Sequence, residues 1–133
     1  MDLVARDIMT TSVVAVPPWM HVEKLAQLLA GNNISGVPVV DRGRMVGIAT
    51  EADILRRRRG QDTVRSIMTA DVIAVSEVES LPEIAFLLYM KRINRVPVLR
   101  DGKLVGIVSR ADIIRALATR HADTVDAAEE SWP

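Results

Sequence analysis

At 133 residues, with 17 basic and 17 acidic side chains, the chain has no net charge and so no field that would gather nucleic acid or an anionic membrane. The absence of cysteine excludes a disulfide framework and thiolate chemistry. Apolar residues make up 49% of the chain but aromatic ones only 3%, so Ile, Val, Leu and Met must fill the core. The opening "MDLVARDIM" is short and charged, unlike a signal peptide. No apolar run approaches the roughly 18 residues of a membrane-spanning helix. A soluble, cytoplasmic protein is the expectation.

In chain order, "ARDIM" reads as a short helical turn, and "SVVAV" (Ser12 to Val16) as a short buried strand. Val22, Leu25, Ala26 and Leu29 then share one face of a helix. "GVPVV" follows as a strand whose Pro38 argues against a fully hydrogen-bonded central place. Asp41-Arg42-Gly43-Arg44 predicts a tight turn, "MVGIAT" the returning strand, and Ile54 and Leu55 a second helix. "RRRRG" reads as the end of that helix, arginines complementing its dipole and Gly60 stopping it; phosphate or nucleic-acid contact is the lesser alternative. The same order then recurs. "DVIAV" (Asp71 to Val75) is a strand, and Leu81, Ile84, Ala85 and Leu88 form a helix face behind a Ser80–Glu83 capping box with Pro82 in the first turn. "RVPVL" and "LVGIVS" flank an Asp101-Gly102 hairpin turn, and Ile113, Ile114 and Leu117 lie on a last helix.

The recurrence is a duplication. At an offset of about 59 residues the halves align without a gap, with about 22 of roughly 51 positions identical. A unit of about 55 residues is too small to be comfortable alone, so the two should pack over a shared core. Each unit is expected to be β-α-β-β-α: a crossover joining parallel strands, then an antiparallel hairpin.

One short run in each unit is chemically pointed. "GIATEADIL" and "GIVSRADII" place a glycine inside a strand, then a hydroxyl (Thr50, Ser109) and an acid (Asp53, Asp112) where the strand turns into a helix. The plain explanation is a capping box. Glycine within a strand marks a bulge or a close approach of backbone or ligand, and the helix start suits an anion.

Together, "DIMT", "VPVV" followed by "GI", and the glycine–hydroxyl–acid run resemble the cystathionine-β-synthase-type, or CBS, domain. Two copies resemble a CBS pair, or Bateman module, from about Val4 to Ala118. The resemblance implies an α/β fold of two pseudo-symmetric β-α-β-β-α units packed as one module: unit one over 1–59, unit two over 60–118, and a polar tail over 119–133. It implies a regulatory module rather than an enzyme. Its ligand would be an adenine nucleotide (AMP, ADP or ATP) or another adenosine-containing molecule, held in clefts between the units, with the acid on the ribose hydroxyls. It also implies a homodimer through the helical faces and a regulated partner protein whose identity stays open. No cofactor is required. The competing reading is a ligand-free assembly module.

Carried over residue by residue, the resemblance implies two sites. One joins Ser109 and Asp112 to Ser12, Val14, Ile34 and Ser35, with Arg95 reaching the phosphate. The other, expected to be weaker, joins Thr50 and Asp53 to Asp71, Ile73, Ile93 and Asn94, where Gly36 replaces the arginine's counterpart and Asp71 adds negative charge. His21 and His121 lack ligand-spaced partners, so no metal is expected. Met9 and Met68 hold the same place in each repeat and read as core. Trp132, in the tail, is a docking candidate on a partner or simply exposed.

Overall fold

Both hairpins form where the turn chemistry places them. In the computed structural model, which describes residues 2–122 and side chains through 119, strands β1 (Gly36–Asp41) and β2 (Arg44–Thr50) meet at Arg42 and Gly43, both at positive φ (55° and 83°). Strands β4 (Arg95–Arg100) and β5 (Lys103–Ser109) meet likewise at Asp101 and Gly102 (52° and 79°). Consecutive positive φ values match the twist of a two-residue hairpin. The other elements are helices α1 (Ala5–Ile8), α2 (Val22–Asn32), α3 (Glu51–Leu55), α4 (Val64–Ile67), α5 (Leu81–Lys91) and α6 (Arg110–Ala122), with the short strand β3 (Val75–Ser76). No described helix is long and apolar enough to cross a membrane. The expectations for Trp132 and the rest of the tail beyond 122 fall outside the described residues.

The strands form one mixed sheet in the order β1-β2-β5-β4-β3. Its halves join only at the hairpin tips, where Arg44 pairs with Lys103 and the Met45 N–H donates to the Gly102 carbonyl at 3.1 Å. β3 runs parallel to β4, as the crossover requires. The predicted helix faces are the ones buried: Val22, Leu25 and Leu29 in α2, and Leu81, Ile84 and Leu88 in α5. Ser80 caps α5 by accepting the Glu83 N–H at 3.4 Å.

The leaders are exchanged between the halves. α1 begins the first repeat, yet Ala5 lies in the core with Ile84, Val96 and Val108 of the second. α4 begins the second repeat, yet Val64 lies in the core with Leu25, Val37 and Ala49 of the first. Thr10 pairs with Ile107, and Thr69 with Ile48, each through two backbone hydrogen bonds of 2.9 Å. This exchange explains the strand glycines. A Cβ on Gly106 would lie 2.5 Å from the Met9 sulfur and 3.0 Å from the Thr10 carbonyl; on Gly47 it would lie 2.8 Å from both the Met68 sulfur and the Thr69 carbonyl. The repeated methionines are the lids on these glycines. Each strand also bulges there, Val39 facing Gly47 but Val40 facing Met45, and likewise Val98 facing Gly106 but Leu99 facing Leu104.

The exchange also corrects two expectations. Residues 12–16 form no strand: only Val16 bridges Val39, and of the predicted strand 71–75 only Val75 belongs to β3. The segment before each is already hydrogen-bonded to the opposite half, so the intervening residues span the gap instead of pairing. Of "RRRRG" only Arg56 ends the helix, and Gly60 is not its stop. α3 stops at Leu55 with Arg56 as its cap, so the following arginines and Gly60 (φ 90°) lie in the loop to α4.

Candidate functional site

Both hydroxyl–acid turns close as capping boxes. In the first, Asp53 Oδ2 accepts the Thr50 N–H at 2.9 Å and the Thr50 hydroxyl at 3.0 Å, while Thr50 Oγ1 accepts the Asp53 N–H at 3.2 Å. In the second, Asp112 Oδ2 accepts the Ser109 N–H at 2.8 Å and Ser109 Oγ accepts the Asp112 N–H at 3.1 Å. The remaining oxygen of each acid takes an arginine three positions on: Arg56 to Asp53 Oδ1 at 2.8 Å, Arg115 to Asp112 Oδ1 at 3.2 Å. One oxygen of each carboxylate therefore builds the helix start, and the other is left for exchangeable partners. The arginine side chains are 70% and 64% exposed, and an ion pair so wetted is worth about 0–1 kcal/mol. A ribose diol, giving two charge-assisted hydrogen bonds, could displace it.

A cavity of about 330 Å³ lies between the halves. Its apolar lining is paired across the repeat, Ile48 with Ile107 and Pro38 with Pro97, and its polar lining is Ser35, Thr50, Arg92, Asn94 and Arg95. Such a mostly apolar cleft with a few converging polar groups is the usual form of a small-molecule site. It brings together Ser35 from the first expected set and Thr50, Ile93 and Asn94 from the second, and joins Arg95 to them. Arg95 is the strand partner of Ser109, but in the cavity it stands with Thr50; Ser109 and Asp112 are outside this lining. Ile34 packs instead against the first core. Ser12 and Val14 are exposed on the segment linking the halves, and Asp71 and Ile73 on its counterpart, all outside the lining.

Two further cavities flank the acids. That beside Asp53, about 410 Å³, is lined by Arg56, Arg57, Arg58, Gln61, Ser66 and Ile67. That beside Asp112, about 430 Å³, is lined by Leu3, Asp7, Ile8, Arg115, Ala116 and Thr119. Each sets one repeat's second helix, and in the first repeat the loop after it, against the leader helix packed on it. Arg57 reaches Glu23 at 3.2 Å, and a hydrogen bond from Glu23's own backbone, then that guanidinium, hold its carboxyl below the usual range. Sequence reasoning did not place Arg56 and Arg115 in either site set. The signal was present: an arginine stands three residues after the acid in both repeats.

Comparison with known proteins identifies the family and the fold. The CBS domain family matches the chain twice, over residues 5–60 and 64–119. The CBS domain-containing protein YhcV of Bacillus subtilis is 32% identical over 113 residues, 81% of each chain. Other curated relatives are longer, and the chain spans only 33%, 22% and 42% of three of them. Among solved structures, the CBS domain pair of protein MJ0100, in complex with 5-methylthioadenosine and S-adenosyl-L-methionine, superposes with a TM-score of 0.75 at 30% identity, covering 90% of this chain and 99% of that one. CBSX2 of Arabidopsis thaliana, in complex with AMP, superposes with a TM-score of 0.81 at 27% identity, covering 89% and 98%.

Proposed function

The chain belongs to the CBS domain family as a tandem pair, and from that premise we propose that it binds an adenosine-containing ligand between its units and signals the bound state to a partner protein. The observation that carries this reading is the cleft between the halves, where a paired apolar floor meets Thr50, Ser35, Asn94 and Arg95. The acids of the two turns, which line the cavities flanking that cleft, serve the ribose through their outward oxygens, and adenine lies against aliphatic side chains. The CBS domain pair of MJ0100 and the CBSX2 chain, which superpose along nearly their whole length, were crystallised with adenosine-containing molecules. The role is regulatory rather than catalytic, in a cytoplasmic setting, with adenine nucleotide as ligand and not as cofactor.

The test is a thermal shift series with adenosine, AMP, ADP, ATP and S-adenosylmethionine. Ligand at about a hundred times its dissociation constant stabilises the fold by about 2.7 kcal/mol. At this size that raises the melting temperature by about 5–10 °C. Asp112→Ala and Asp53→Ala, each read against its own ligand-free melt, should reduce the rise. No shift with any of these ligands at millimolar concentration overturns the reading.

A homodimer belongs to the same proposal. Phe86, Tyr89 and Met90 on α5 are 61%, 75% and 57% exposed, and Ile114 and Leu117 on the neighbouring α6 are 65% and 51% exposed. Apolar helix surface of this extent on so small a module favours a second copy as its cover. The same face supports the alternative, an assembly module without ligand, which stands if the melts do not move and the dimer does form.

A further inference from the structure

We infer that the cavity beside Asp53 receives the phosphate groups of a nucleoside polyphosphate, and that its counterpart beside Asp112 does not; the inference rests on the adenosine reading above. The two cavities occupy equivalent places in the repeat, so their linings compare position by position. Arg57 stands where the second unit has Ala116, Arg58 where it has Leu117, and Ser66 where it has Asp7. The first cavity therefore sets three guanidinium groups against one carboxylate, and the second sets one against two. The backbones differ too, since Arg57 and Arg58 lie in the loop after α3 where Ala116 and Leu117 continue α6, and the ligand charge the two cavities suit is opposite.

The arginines of the first cavity are not all engaged. Arg56 is bound to Asp53 and Arg57 to Glu23, but the Arg58 side chain has no ion pair or hydrogen bond among the described residues. Its backbone is nevertheless held. The Arg58 N–H donates to Gln61 Oε1 at 2.6 Å, and Gln61 Nε2 donates to the Ser66 carbonyl at 3.1 Å, tying the loop to α4. A free guanidinium on a pinned loop loses less freedom on binding than one on a loose loop, and its fork of donors fits phosphate oxygens. Arg95 supplies a further cation in the central cavity, where it stands with Thr50, the residue that caps Asp53. Its counterpart across the repeat is Gly36. This ordering reverses the sequence expectation that the Asp112 side is the stronger phosphate site. Asp71, expected to weaken the Asp53 side, is absent from the lining of that cavity.

Isothermal titration with adenosine, ATP and inorganic tripolyphosphate tests the inference on the intact protein, its Arg58→Gln, Arg58→Lys and Lys24→Gln variants. ATP should bind at least about tenfold more tightly than adenosine, as two or more charge-assisted contacts imply. Arg58→Gln should weaken ATP about fivefold and leave adenosine unchanged, and Arg58→Lys should recover part of the loss. Lys24→Gln removes an equal charge from an exposed position of α2 outside the cavity lining and should change neither. Raising the salt should weaken ATP and not adenosine. Equal affinity for ATP and adenosine overturns the inference while leaving the adenosine reading intact. So does an Arg58→Gln variant that binds ATP normally, or a Lys24→Gln variant that loses as much. If tripolyphosphate binds with the same dependence on Arg58 and adenosine does not bind at all, the cavity stands and the adenosine reading falls.

Discussion

The two halves of the molecule share their buried residues and differ in their exposed ones. Val22, Leu25 and Leu29 of α2 recur as Leu81, Ile84 and Leu88 of α5, and Val37 and Val39 of β1 recur as Val96 and Val98 of β4. Outside the core the copies have parted. Gln27, Ala30 and Gly31 of α2 face Phe86, Tyr89 and Met90 at the same places of α5, and Arg57 and Arg58 face Ala116 and Leu117. The lesson is a division of labour by burial. Close packing holds the core positions to shape-conserving exchanges, since overpacking or a cavity costs about 1–5 kcal/mol. Exposed positions carry no such penalty, so one half can gather arginines at its acid while the other gathers apolar surface.

The largest effects should come from the glycines beneath the exchanged leaders, and they should separate the halves. Gly47→Ala drives its new methyl to 2.8 Å from the Thr69 carbonyl, a backbone atom that accepts the Ile48 N–H, whereas in Gly106→Ala the nearest atoms belong to the flexible Met9 side chain and the Thr10 carbonyl lies a little farther off, at 3.0 Å. Denaturant titration should show a loss of about 2–3 kcal/mol for Gly47→Ala and about 1–2 kcal/mol for Gly106→Ala. Equal losses, or none, would mean that the leaders sit on the two halves with equal freedom.

Next come the acids, in the absence of ligand. The Asp53 side chain is 4% exposed and accepts from both the N–H and the hydroxyl of its cap, whereas the Asp112 side chain is 12% exposed and accepts only the N–H of its cap. Both alanine variants should lose about 1–2 kcal/mol in chemical denaturation, Asp53→Ala the more. A larger loss at Asp112 would show that the second turn bears more of the fold than its hydrogen bonds indicate.

The helical faces give the third contrast. Phe86→Glu should shift the protein from dimer to monomer in light scattering at micromolar concentration, whereas Gln27→Glu, at the same place in the other half, should leave the dimer intact. Identical behaviour of the two variants would move the interface off α5.

The smallest effect is electrostatic. Arg100 meets Glu77 through two hydrogen bonds of 2.9 Å and so holds the Glu77 carboxyl below its usual range. The first unit has Pro18 and Asp41 at these places and no such pair. A carboxyl depressed in the folded state contributes stability above its unfolded value and loses it as the pH falls through the folded one. Glu77→Gln should therefore melt slightly below the parent near neutral pH, and the two melting curves should converge in acid.

By itself the sequence determined the duplication, the hairpins, the buried helix faces and the two hydroxyl–acid turns. These rest on local chemistry: Asp-Gly or Arg-Gly at a turn, apolar spacing on a helix, a hydroxyl three residues before an acid. It also marked Gly47 and Gly106 as places of close approach without saying what approaches. Only the tertiary structure decided that each leader packs on the other half, that the predicted strands 12–16 and 71–75 dwindle to Val16 and Val75, and that Arg95 shares a cavity with Thr50. A repeat explains this limit. Residues that occur twice can satisfy the same contact within a copy or across copies, and the pattern along the chain is identical in both cases. The choice falls to chain connectivity and to which strand glycine a methionine can reach once both halves are folded.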